Sequence, residues 1–133
     1  MNIVLDASAA VEIALSGELS PAFRESIEEA DLVLAPDTYP AEVTNVFWKY
    51  GRLSHVPTDK CQKGISCCLD LVDDYIGTLY LCREVFSESM RTRHSAYDIF
   101  YLVVARRHDA VVLTRDSRMM EAAKVLGVGV TGT

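Results

Sequence analysis

The chain has no long apolar run: the longest, Ile99 to Ala105, is seven residues of 133, against the ~20 that a helix needs to cross a bilayer. A membrane-spanning helix is therefore excluded from the expected elements. The N-terminus has no basic stretch, and Asp6 and Glu12 interrupt what would be the apolar centre of a secretory signal. A cytoplasmic location is expected. Cys61, Cys67, Cys68 and Cys82 show no CxxC spacing, so neither a thioredoxin-like redox motif nor a disulfide framework is indicated. If Cys61 and Cys68 share a helix, seven residues separate them by roughly 10 Å, too far to bridge. Reduced cysteines packed in the core are expected. Internal repeats, linkers and low-complexity tracts are missing too. The glycine-rich end, Gly127-Val-Gly-Val-Thr-Gly, lacks the lysine and the following helix of a phosphate loop, and reads as a turn and strand.

Half of the residues are apolar and 24% are charged, a balance that predicts a packed core and excludes a disordered chain. The length suits one domain, residues 1–133. The net charge of −6 argues mildly against a nucleic-acid partner, but it is unevenly spread. Residues 1–90 hold 6 Lys and Arg against 15 Asp and Glu, net −9, whereas residues 91–133 hold 7 against 4, net +3. The late basic residues are Arg91, Arg93, Arg106, Arg107, Arg115 and Arg118, with Lys124.

Ile3-Val4-Leu5 reads as a short buried strand with Asp6 at its carboxyl end. A helix over Ala9–Leu15 follows, with Gly17 as its stop. Ser20-Pro21 predicts a capped second helix to about Ala30, and Leu32–Ala35 a second strand ended by Pro36. From Pro40, Val43, Val46, Phe47 and Tyr50 recur at helical spacing, while Glu42, Asn45 and Lys49 share another face. Trp48 projects away from the apolar stripe, which predicts a second contact surface: packing against another helix, or a dimer or partner interface. Thr58-Asp59 predicts a helix to about Ile76, then a third strand over Thr78–Cys82 and a helix over Arg83–Arg93. Ser95 and Asp98 mark a capped helix entering the apolar run. Ala110–Thr114 is the clearest strand, and Asp116 follows it within two residues. A helix over Ser117–Leu126 and a strand over Val128–Thr131 end the pattern. Strands alternating with helices predict a three-layer α/β/α sandwich around a central, mainly parallel sheet of about five strands.

Taken singly, the acids have ordinary readings: Asp6 a turn residue, Glu42 a first-turn acid, Asp98 a capping-box partner of Ser95, Asp116 a helix cap. Taken together, two follow strands and two lie near helix starts, and ligand sites in such sheets gather beyond the carboxyl ends of the strands. Carboxylates about 5 Å apart repel by roughly 3 kcal/mol at an effective dielectric near 20, so such a group needs a cation or shared protons. Mg²⁺ or Mn²⁺ suits oxygen-only ligands.

Four motifs, Val4-Leu5-Asp6-Ala7-Ser8, Pro40-Ala41-Glu42-Val43-Thr44-Asn45-Val46, Ala96-Tyr97-Asp98 with Ile99 to Ala105, and Leu113-Thr114-Arg115-Asp116, lie in this order across almost the whole chain. In them the chain resembles the PIN-domain nucleases, and more closely the VapC-type toxins of type II toxin–antitoxin systems. The resemblance implies a ribonuclease using one or two Mg²⁺ or Mn²⁺ ions, with Asp6, Glu42, Asp98 and Asp116 as its acidic quartet. Asp6 and Asp98 match the most direct metal ligands, and Ser8, Asn45 and Thr114 look like polar support. It also implies a homodimer and a VapB-like antitoxin whose C-terminal segment covers the site. Hydrolysis by activated water needs no side-chain nucleophile, and Arg91, Arg93, Arg115 and Arg118, with Arg106 and Arg107, are the expected phosphate contacts. Alternatives are a processing nuclease outside any toxin–antitoxin pair and a catalytically silent RNA- or protein-binding module. An aspartyl-phosphate phosphotransferase is disfavoured, because Ser8 stands where a second acid is wanted and Glu42 has no part in that chemistry. His55, His94 and His108 show no ligand spacing.

Overall fold

The computed structural model describes residues 1–132. Five parallel strands, β1 (Asn2–Leu5), β2 (Val33–Pro36), β3 (Asp74–Ile76), β4 (Ala110–Leu113) and β5 (Val130–Thr131), lie in the order β3-β2-β1-β4-β5. The chain walks outward from β1 to β3, then returns to the other side of β1 for β4 and β5. Parallel neighbours require right-handed crossovers, so this reversal sends the two sets of helices to opposite faces. On one face α1 (Ala7–Ala14) packs against α2 (Ser20–Glu29), α3 (Tyr39–Leu53) and α4 (Thr58–Asp70). On the other, α6 (Ala96–Arg107) lies over β1, β2 and β4 between α5 (Cys82–Thr92) and α7 (Ser117–Leu126). The three-layer parallel sandwich is the architecture that the alternating pattern predicts.

The residues explain the layers. Strands covered on both faces are apolar throughout, as Ile3, Val4 and Leu5 are, all buried. Helix α6 is the central one of its layer, so Ile99 and Tyr101 to Ala105 are buried and its apolar stretch wraps most of the helix. Between β1 and β4 the register sets Leu5 opposite Leu113. Asp6 and Thr114 are thereby side by side just past the strand ends, at the point where the strand order reverses.

Several local expectations are corrected. The fourth helix ends at Asp70, and the third strand is Asp74–Ile76 rather than Thr78–Cys82, where the chain makes a 3₁₀ turn (Leu79–Leu81). The backbone N–H of Asp73 donates to Val33 O at 2.8 Å while its Oδ2 accepts the Val33 N–H, also at 2.8 Å. Pairing with β2 therefore ends the helical path although Ile65, Leu69, Val72 and Ile76 keep helical spacing. Ser20 lies inside its helix rather than capping it, and its hydroxyl accepts from Arg24 Nε. The N-cap is Leu19, whose N–H goes to Glu12 Oε2 at 2.8 Å. Pro36 is the last residue of β2, not the residue after it. All four cysteines are free, but only Cys61 and Cys68 are buried, and Cys82 is exposed. Trp48 is 58% exposed instead of packed under a helix. Helices α3 and α4 meet where Gly64 lies flat against the Phe47 ring, which leaves Trp48 on the rim of the groove between them. No helix among the described residues is long and apolar enough to cross a membrane.

Candidate active site

Asp6 follows β1 and caps α1. Its Oδ1 accepts the Ala9 N–H at 2.9 Å and the Ser8 hydroxyl at 2.7 Å, and its Oδ2 accepts the Thr114 hydroxyl. Asp6 is 4% exposed. Burial, only partly offset by these hydrogen bonds, raises its pKa to about 6, and the charge of Asp116 adds to the rise. Thr114, fully buried, also accepts the Asp116 N–H at 2.9 Å. Asp116 in turn caps α7, its Oδ1 taking the Arg118 N–H at 2.9 Å. Ser8 Oγ accepts the Arg115 N–H at 3.0 Å. The chain segments following β1 and β4 are thus joined by hydrogen bonds that pass through Ser8 and Thr114.

Glu42 stands in the first turn of α3. Its Oε2 accepts the Tyr101 hydroxyl at 2.5 Å, with Thr38 Oγ1 at 3.5 Å. Burial raises its pKa; the Tyr101 hydrogen bond opposes this, and the charges of Asp6 and Asp98 add to it. Asp98 lies in the first turn of α6, where Ser95 Oγ accepts its N–H at 3.4 Å. Its pKa is raised by burial and by Asp116, with His94 and Arg118 acting in the opposite sense. Four field couplings therefore join the acids: Asp6 with Asp116, Asp116 with Asp98, Asp98 with Glu42, and Glu42 with Asp6. Acids from four separate motifs thus act on one another's charge, with Asp6 just past the carboxyl end of the sheet.

Among the described residues no three His, Cys, Asp or Glu side chains form a metal-holding group. Mg²⁺ is commonly held by one or two carboxylates, waters and substrate phosphates rather than by an all-protein cage.

Asn45 is exposed on α3, where it lines a surface hollow with Pro40, Ala41, Thr44 and Trp48, and its side chain bonds to none of the acids. Arg91 pairs with Glu88 within α5, while Arg106 pairs with both Glu84 and Glu88 and Arg107 with Glu84, so the latter two guanidiniums brace α5 against α6. Arg91 and Arg106 hold the Glu88 carboxyl well below its ordinary range. Arg115 Nη1 meets Glu12 Oε1 at 2.9 Å, where the glutamate is 7% exposed. Arg93 and Arg118 form no ion pair among the described residues. Tyr101 and Glu12 are the participants that sequence reasoning misses. Tyr101 sits in an apolar run, 59 residues from Glu42; Glu12 carries a weak signal, a charge amid the small apolar residues of α1.

Residues 3–125 match the family model described as the PIN domain. Among solved structures, the chain is similar to PAE2754 from Pyrobaculum aerophilum, a crystal structure. The two share 21% identity over 98% of this chain and 83% of that one, with a TM-score of 0.77, a likeness of fold. No curated protein sequence matches.

Proposed function

The chain belongs to the PIN domain family, and on that basis we propose that it is a divalent-metal-dependent endoribonuclease, the toxin of a VapBC-type pair. The observation that supports this reading is that four carboxylates carried by different elements act on one another's charge, with Asp6 at the end of the sheet where the strand order reverses. Like charges that oppose one another, with Asp6 buried, favour a cation, and a donor set of oxygens alone fits Mg²⁺ or Mn²⁺. Asp6 and Asp98 would hold the ion most directly, with Glu42 and Asp116 doing so directly or through water. When bound, the ion would neutralise charge at the phosphate and lower the pKa of the attacking water.

The chain's own residues orient these groups. Ser8, Thr114 and the Ala9 N–H fix both oxygens of Asp6. Ser8 gives its proton to Asp6 at 2.7 Å, which makes it a support and leaves water as the nucleophile. Arg93 and Arg118 lie near the acids in sequence and supply phosphate contacts, with Arg91 and Arg115 more remote candidates because they pair with Glu88 and Glu12. Asn45, exposed beside Trp48, supports the substrate or partner side of α3. The aromatic groove at Trp48 supports docking of a VapB-like antitoxin, and the active species is a homodimer.

The test is cleavage of a labelled RNA pool by purified protein with Mg²⁺, with Mn²⁺ and with chelator. Cleavage that chelator stops, and that Asp6→Ala and Asp98→Ala abolish, is the expected result; undiminished cleavage by either variant would show that the chemistry lies elsewhere. Co-purification with the neighbouring gene's product tests the toxin assignment.

A further inference from the structure

We propose that Tyr101 is a positioning residue of the acidic site, which tethers one oxygen of Glu42 and leaves the other to face the divalent cation. The inference rests on the metal-site reading of Glu42. Asp98 and Tyr101 are three residues apart on α6 and therefore share one face of that helix. The helix delivers two groups to the site: its own carboxylate and, one turn on, a phenol that reaches across to α3.

The geometry at Glu42 is one-sided. Both nearby hydroxyls, Tyr101 at 2.5 Å and Thr38 at 3.5 Å, converge on Oε2, and Oε1 accepts no hydrogen bond among the described residues. A glutamate has three side-chain torsions, and holding one oxygen on a rigid donor removes most of that freedom. The donor is rigid: Tyr101 is 2% exposed, and Ile99, Leu102, Val103, Val104 and Ala105 around it on α6 are all buried. The hydroxyl is also a cost in that setting. A buried hydroxyl is penalised unless paired, and phenylalanine would fill the space without needing a partner. A tyrosine whose hydroxyl meets one carboxylate oxygen fits the pattern of ligand-orienting partners seen around metal sites.

The test uses the full chain and Mn²⁺ alone as probe, with binding followed by calorimetric titration and by the Mn²⁺-induced rise in melting temperature. Tyr101→Phe, Glu42→Gln and the double variant are compared with wild type. Tyr101→Phe is expected to weaken Mn²⁺ binding about tenfold, within the range for loss of a ligand-orienting partner. The double variant is expected to bind no more weakly than Glu42→Gln, because both changes act through one carboxylate. Wild-type Mn²⁺ affinity in Tyr101→Phe, whatever its melting temperature, would overturn the proposal by showing that the hydrogen bond only stabilises the fold. Fully additive losses would overturn it as well. Should Tyr101→Phe not fold, Glu42→Asp takes its place: it keeps the charge but withdraws it from the phenol, and unchanged binding would count against the tether. If wild type binds no Mn²⁺, or Glu42→Gln binds as wild type does, the metal-site reading of Glu42 fails and the inference with it.

Discussion

Thr114 donates its hydroxyl proton to Asp6 Oδ2 across the seam between β1 and β4, and its own Oγ1 accepts the Asp116 N–H at 2.9 Å. One buried hydroxyl thus sets the spacing of two acids. Thr114→Val keeps the shape and removes both bonds, leaving buried polar groups short of a partner at a cost of about 1–3 kcal/mol in urea unfolding. Of the hydrogen bonds that lower the Asp6 pKa, this one has the largest influence. The variant's acid limb of activity therefore moves to higher pH, which a pH–rate profile measures. An unmoved limb would dissociate Asp6 from the activity.

Burial gives Asp6 an unusual effect on stability. Its pKa rises from 3.8 to about 6 on folding, so the folded state binds the proton more tightly than the unfolded chain does. The stability this contributes is fully present below about pH 4 and is lost as pH rises through 6, by about 3 kcal/mol. Asp6→Asn removes that titration. Without metal, the variant is expected to be more stable than wild type at pH 8, with the gain vanishing near pH 4, as chemical denaturation at both pH values would show. Glu84 and Glu88, depressed by their arginines, act in the opposite sense and lose their contribution as pH falls. They are common to both proteins and cancel in the comparison.

The elements most legible in the sequence are those whose burial leaves a pattern. The strands β1 and β4, the apolar α6 and the Ser117–Leu126 helix follow their residues closely. The third strand was hidden because Asp74 and Tyr75 are exposed and only Ile76 is partly covered; an edge strand of three residues has no inward face to read. The acids were legible as residue types at strand and helix ends. Their couplings were not, because the Leu5–Leu113 register and the Tyr101–Glu42 bond are long-range consequences of packing. The arginines show the same limit. Charge alone suggests a phosphate surface; the Glu88–Arg91 pair lies at local helical spacing, but nothing local reveals that Glu84 and Glu88 also hold Arg106 and Arg107.

Gly64 opposes helix propensity to packing. In an exposed helix interior, alanine would be favoured over glycine by about 1 kcal/mol. Here a Cβ would lie 2.4 Å from Phe47 Cε1, and Phe47 is 1% exposed, with no room to retreat. Overpacking costs typically 1–3 kcal/mol, so Gly64→Ala is expected to be net destabilising by about 1 kcal/mol. Adding Phe47→Leu should recover part of the loss. A rise in the urea midpoint of Gly64→Ala would mean that α3 and α4 separate at little cost.

Glu12 and Arg115 form the remaining link between α1 and the loop that carries Thr114 and Asp116. The Glu12 side chain is 7% exposed and that of Arg115 59%, with the charged groups at 2.9 Å, so removing the two partners should have unequal effects. Arg115→Ala leaves a buried charge with only the Leu19 N–H to stabilise it. A fully buried pair would lose 3–5 kcal/mol in this way. Because the guanidinium lies largely in water, screening reduces the expected loss to about 2 kcal/mol. Glu12→Gln leaves a neutral amide that still meets Leu19 through its oxygen, and should cost less than Arg115→Ala. Combining the two should restore most of the stability lost in Arg115→Ala, since the stranded charge is then gone. Additive losses in a double-mutant cycle would instead mean that Arg115 stabilises the loop through contacts other than Glu12.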